Sequence, residues 1–190
     1  MPSVFDVLGH DHQEVKLMLT ELEKGPVAGA GAGDSALALR KKMTEQLVIE
    51  ESRHEAAEEM YFWPAVRDHV PDGERLAGTA NAQEQQGKEV LHRLDKLDAA
   101  DPEFEQLVAA FIQAGRDHIG FEETQVWPLL RAALTTEQAD DLGGKLQAAK
   151  KAAPTRPHPH TPGSPAVLKT AGPAVAAADR ARDAASGRGE

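Results

Sequence analysis

Apolar residues recur along this chain at intervals of three and four, the period of a helix with one buried face. Phe5, Leu8, Val15, Leu19 and Leu22 mark a first helix, which Ser3 can cap and which runs to about Lys24. The Gly/Ala-rich stretch from Gly25 to Gly33 reads as a flexible loop. Asp34 or Ser35 opens a second helix that lasts to about His69. Val70-Pro71-Asp72-Gly73 is then a turn, with Asp72 a natural cap for a third helix reaching about Ala99. Asp101-Pro102-Glu103 starts a fourth, with proline at its first position, which extends to about Ala133. Thr135-Thr136-Glu137-Gln138 is a capping box for a shorter fifth helix ending near Lys151. No strand pattern occurs. The pattern predicts an all-α fold, an antiparallel up-down four-helix bundle with a short fifth helix, over residues 1–152. Residues 153–190 are rich in Pro, Ala and Gly and read as a flexible tail, with 155–160 extended rather than packed.

Composition narrows the chemistry. The 190 residues include no cysteine, which excludes disulfides, iron–sulfur clusters and thiolate zinc sites. A metal site here must use His, Asp and Glu, a donor set suited to iron, manganese and zinc. The net charge of −10 argues against nucleic-acid binding and against docking on an anionic membrane. No apolar stretch is long enough to span a bilayer. The opening residues lack the charged and apolar regions of a signal peptide, so a cytoplasmic location is expected.

One pattern occurs twice. His54 to Pro64 and His118 to Pro128 both read H-x3-E-E-x3-W-P, and both tryptophans of the chain fall within it. Arg67 and Arg131 extend the match. A second alignment sets His12 to Leu22 on helix one beside Glu84 to Leu94 on helix three, with Gln, Lys, Leu and Leu at equal offsets. Glu84 then occupies the place of His12, and the bundle becomes two similar hairpins facing each other.

Helical phase assigns these residues a common direction. An i, i+4 pair shares one helix face. His54 and Glu58 fall on the stripe of Met43, Leu47 and Tyr61, and His118 and Glu122 on that of Leu107, Phe111 and Leu129. His12 lies between Leu8 and Val15, and Glu84 precedes Leu91 and Leu94. Six ionisable groups thus point into an apolar interior from four helices. Unpaired burial of charge costs several kcal/mol per ion, and three neighbouring carboxylates repel. Two divalent cations would offset three negative charges and turn that cost into binding energy. His12, His54, Glu58, Glu84, His118 and Glu122 are therefore the expected metal ligands, with Glu58 and Glu122 placed to bridge. Gln85 should project outward. Glu55 and Glu59 read as solvated, Tyr61 as core, and His10, His69, His92, His158 and His160 as surface residues. Pro64 and Pro128 are positioned to kink their helices.

The arrangement of His12, two HxxxE motifs and one ligand on helix three resembles the hemerythrin HHE cation-binding domain over about residues 3–133. The aromatic-Pro steps and the Asp11-His12 pair are also similar to that family. The whole chain, with its Pro-rich tail, is similar to actinobacterial hemerythrin-like proteins. The resemblance implies a site of two non-haem iron ions and a role in peroxide or nitric-oxide stress. In that family helix three normally supplies histidine; here Glu84 stands in its place. A carboxylate for an imidazole makes the site harder and more anionic, which favours the ferric state and turnover of an oxidant over reversible oxygen carriage. The expected function is reaction with O2, H2O2 or nitric oxide. The alternative is an iron- or redox-sensing module without turnover.

Overall fold

The computed structural model describes residues 2–161 and 164–188. They form eight α-helices and no strand. The order is α1 (Val4–Lys24), α2 (Asp34–Ala57), α3 (Trp63–His69), α4 (Gly73–Leu94), α5 (Phe104–Phe121), α6 (Trp127–Ala133), α7 (Thr136–Ala152) and α8 (Pro165–Ser186). Glu58–Phe62 links α2 to α3 as a π-turn, and Glu122–Val126 links α5 to α6 in the same way. The bundle thus has four rods: α1, α2 with α3, α4, and α5 with α6.

Proline explains both π-turns. Pro64 and Pro128 have no N–H to donate, and their rings crowd the carbonyl four residues back. The chain responds by widening the turn. The Trp63 N–H bonds to the Glu58 carbonyl, five residues back, and the Trp127 N–H to the Glu122 carbonyl. The expected kinks are these wider turns.

The end signals act largely as the sequence predicts. Ser3 with Asp6 and Thr135 with Gln138 form complete capping boxes for α1 and α7. Asp72 differs: it sits before α4 in a left-handed conformation (φ 61°) and makes no side-chain cap. Its carboxylate instead accepts from Arg75. The third helix ends at Leu94 rather than Ala99, because residues 95–103 form successive turns closed in part by Asp101 accepting the Asp98 N–H. The Gly25–Gly33 loop contains one 3-10 turn at Ala28–Ala30.

Two apolar clusters build the interior. One joins Val4, Leu8, Phe62, Trp63, Leu76, Val126, Leu130 and Leu146. The other joins Val15, Leu19, Leu47, Leu91, Leu94, Phe104 and Phe111. Every long rod runs from one cluster to the other, and the candidate ligands lie where it crosses between them.

The segment after residue 152 departs from expectation. Thr155, Pro157 and Pro159 are buried, and Pro165–Ser186 is helical, capped by Ser164 with Pro165 at its first position. The tail packs on the first π-turn and on α7. Polar contacts hold it where large apolar residues are scarce. Arg156 bridges Asp95 at 3.0 Å and Asp183 at 2.7 Å, Arg188 reaches Asp95 at 2.7 Å, and His158 pairs with the buried Asp179 at 2.8 Å. His158 is therefore a tail anchor rather than a free surface residue.

Gly143 marks a close contact between α7 and the start of α1. A Cβ there would stand 2.3 Å from the Pro2 carbonyl oxygen and 2.7 Å from the Ser3 carbonyl carbon, both backbone atoms at the start of α1. Gly143→Ala should push α7 off α1 and destabilise the bundle by about 1–3 kcal/mol. A melting temperature equal to wild type would refute this.

Candidate metal centre

His12 from α1, His54 from α2, Glu58 from the first π-turn, Glu84 from α4, His118 from α5 and Glu122 from the second π-turn converge between the two apolar clusters. Their donor atoms fall into two groups. His12, His54, Glu58 and Glu122 form one, and Glu58, Glu84, His118 and Glu122 the other; within each, the atoms lie within 4.8 Å of one another. Glu58 and Glu122 belong to both groups. Glu84 is buried and its neighbour Gln85 is exposed, donating to the Pro159 carbonyl.

The donor atoms fit cations. Seven of them are buried and lack a hydrogen-bond partner: Nε2 of His12 and His118, both oxygens of Glu58 and Glu122, and Oε2 of Glu84. Leaving such atoms unsatisfied is costly. Their spacing has a meaning too. Nε2 of His12 lies 3.1 Å from Glu122 Oε2, that of His54 3.4 Å from Glu58 Oε2, and that of His118 3.4 Å from Glu122 Oε1. Two donors each about 2.1 Å from one ion, at angles of about 90–110°, stand about 3.0–3.4 Å apart.

Each histidine is oriented from its other nitrogen. Nδ1 of His12 lies 3.1 Å from Glu123 Oε1, Nδ1 of His54 3.2 Å from Asp11 Oδ2, and Nδ1 of His118 3.1 Å from Gln83 Oε1. These oxygens only accept, so Nδ1 carries the proton and Nε2 presents its lone pair to the site. The widened turns bring the tryptophans to the same layer. Trp63 Nε1 donates to Glu84 Oε1 at 2.5 Å, and the Trp127 ring stacks on His12 at 4.8 Å.

These contacts obey an approximate two-fold relation. Asp11 and Gln83, one residue before His12 and Glu84, each support the histidine of the adjoining helix. Lys16 and Lys88, four residues after them, each pair with the second Glu of a motif: Lys16 with Glu123 at 2.7 Å and Lys88 with Glu59 at 2.6 Å. All five positions of the H-x3-E-E-x3-W-P repeat that are fixed by type thus have a task. Sequence reasoning missed Gln83, Glu123, Lys16 and Lys88 as supports. The shared Lys in the helix alignment was the available signal. It also placed Glu55 and Glu59 in solvent, whereas Glu55 is buried and both face Lys88. Tyr61 packs at the edge of the core beneath Lys169.

The family model of the hemerythrin HHE cation-binding domain matches residues 3–130. The chain belongs to this family. An uncharacterised hemerythrin-like protein of Schizosaccharomyces pombe is 25% identical over 184 residues, covering 96% of this chain and 86% of that one. A Nostoc protein named as a DNA nickase is 26% identical over 153 residues, 78% of this chain but 39% of that longer protein. The solved structure of a hemerythrin HHE cation-binding domain-containing protein from Mycobacterium kansasii has the same fold, with a TM-score of 0.66. It covers 94% of this chain and 99% of its own at 21% identity. As a member of this metal-binding family, the chain carries its candidate site on His and Glu side chains.

Burial sets the electrostatics of the metal-free hemerythrin-like site. It pushes the Glu84 carboxyl up to about 8, helped by Glu59 and Glu122 and opposed by Lys88. Burial and the neighbouring carboxylates hold Glu58 well above the ordinary range. Glu122 goes the other way: burial raises it, but His118, His12 and His54 together pull it below its usual value. His12 is raised, since Glu122 and Glu123 outweigh its burial.

A pH dependence follows. Glu84 has a folded value above its unfolded one, so its neutral form supports the metal-free fold at low pH and that support is lost as pH rises through about 8. Ligation needs the deprotonated form. Metal-free protein should melt lower at pH 9 than at pH 6. Metal loading at pH 7 should release protons, seen as a buffer-dependent heat in calorimetry. Loading with no proton release would contradict the assignment of Glu84.

Proposed function

We propose that this protein holds two non-haem iron ions on His12, His54, Glu58, Glu84, His118 and Glu122, and that it reacts with a small oxidant, O2, H2O2 or nitric oxide, under oxidative or nitrosative stress in the cytoplasm. One observation carries the reading: two donor groups share Glu58 and Glu122, whose four oxygens are buried without partners. Each carboxylate would offer one oxygen to each ion. Three imidazoles and three carboxylates suit iron, with manganese or zinc as competitors. Bound iron would supply the one-electron changes that reaction with such an oxidant requires.

The protein's own residues contribute orientation and exclusion. Asp11, Gln83 and Glu123 fix the three imidazoles. Trp63 directs Glu84, and Trp127 covers His12 on the ring face. The apolar clusters on either side keep water from the layer, so charge is poorly screened there. Three carboxylates against three neutral imidazoles stabilise the higher oxidation state, which favours oxidant turnover.

A second reading is a sensor that changes shape once and does not turn over. Asp11 supports it, because its carboxylate accepts both from His54 and from Lys150 on α7. Events at the site are thereby linked to a helix outside the four rods. Peroxide consumed in excess of metal favours the enzyme; a stoichiometric change in shape favours the sensor.

Elemental analysis after anaerobic reconstitution should give about two iron ions per chain. Less than half an equivalent would defeat the proposal. Glu84→Ala should lose or weaken one ion, while Gln85→Ala should change little. Glu84→His should restore binding with slower peroxide turnover and longer-lived oxygen adducts. Asp11→Ala should lower metal affinity about 10–100-fold by freeing His54. Iron content unchanged in Glu84→Ala would remove that residue from the site.

A further inference from the structure

A cavity of about 50 Å³ lies between the bundle and the tail. About one water needs roughly 10–15 Å³ of such space, so the cavity admits a molecule of a few heavy atoms. Its inner wall is formed by close neighbours in sequence of the candidate ligands, not by the ligands themselves. Glu55 follows His54, Glu59 follows Glu58, and Lys88 stands one turn after Glu84. Its outer wall belongs to the tail: Val167, Leu168, Gly172 and Val175 of α8 give it an apolar face, with Arg156, His158 and Thr161 beside it.

Two polar atoms in the inner wall are unexplained by the metal site. Ser52 is 7% exposed and Glu55 4%, and neither Ser52 Oγ nor Glu55 Oε2 has a hydrogen-bond partner. The nearby charges are already matched: Lys88 with Glu59 and Glu55, Arg156 with Asp95 and Asp183. A ligand here therefore needs hydrogen-bonding capacity but no net charge. The pair is particular to this half of the bundle. In the second repeat the corresponding residues are Arg116 and Ile119, and there the Lys16–Glu123 pair lies in the open.

We propose that this chamber binds a small uncharged molecule carrying a hydroxyl or hydroperoxyl group, held at Ser52 and Glu55 with its carbon or second oxygen against α8. Resting on the oxidant reading above, it is the antechamber from which hydrogen peroxide or a short alkyl hydroperoxide meets the metal centre. The tail is then the outer wall of a binding site.

Gly172 gives the means of testing it. Beyond its chain neighbours a Cβ there meets nothing within 4 Å, so Gly172→Leu adds a side chain at the chamber wall; because Pro173 follows it, unchanged helicity by circular dichroism accompanies the test. The probe is 2-fluoroethanol on the full chain loaded with zinc, read by fluorine saturation-transfer NMR. Wild type should show transfer, Gly172→Leu should lose it, and Ser52→Ala should weaken it. Ala178→Leu, on the exposed side of α8, should match wild type. With iron loaded, Gly172→Leu should slow reaction with tert-butyl hydroperoxide at least tenfold, with metal content and absorption spectrum unchanged. Absence of transfer in wild type, or equal transfer in wild type and Gly172→Leu, overturns the chamber. Transfer that distinguishes the two in a protein that consumes neither peroxide upholds the binding site and removes its role as a peroxide antechamber.

Discussion

Six ionisable side chains converge in one layer between two apolar clusters, and the rest of the structure accommodates that layer. Each long rod contributes hydrophobic residues to both clusters, and its candidate ligands fall between them: His12, His54 and Glu58, Glu84, and His118 and Glu122. Without cations the layer is a liability, since burial raises Glu58 and Glu84 and leaves seven donor atoms without partners. Bound cations would change its sign. The same low-dielectric surroundings that penalise lone carboxylates strengthen their attraction to a shared ion.

Proline gives the layer its second rank of contacts. By denying an N–H to the carbonyl four residues back, Pro64 and Pro128 widen the turns that begin at Glu58 and Glu122. Residues five apart then complete one turn, which brings Trp63 and Trp127 to the level of Glu84 and His12. The approximate two-fold relation makes this happen twice with one difference. Where Glu84 accepts a hydrogen bond from an indole, His12 stacks on one. The substitution of carboxylate for imidazole at that single position is matched by the way its tryptophan meets it.

The tail breaks the two-fold relation. It covers the first π-turn and encloses Ser52, Glu55 and Lys88, while the equivalent face of the second repeat remains open around Lys16 and Glu123. Its attachment is ionic, through Arg156, Arg188, Asp95 and Asp183, with His158 on Asp179. A segment with so few large apolar residues adds little hydrophobic stabilisation, and the buried ion pairs fix its position more than they add stability.

The sequence by itself carried the rods, their caps at Ser3 and Thr135, the register that turns Glu84 inward and Gln85 outward, and the six residues of the layer. Those features are local or periodic: a cap is decided within four residues, and a helix face by spacing. The twofold motif added a relation between distant segments because it was written twice. What only the tertiary structure decided depends on which helices are neighbours. The partners Asp11 to His54, Gln83 to His118 and Lys88 to Glu59 lie on different rods, and no spacing within one rod announces them. Glu55 looked solvated because its own helix offered no partner, yet Lys88 and the tail enclose it. The tail looked unpacked because its composition lacks large apolar side chains. Its arginines and aspartates find one another, and Asp95, only after the chain has folded back on the bundle.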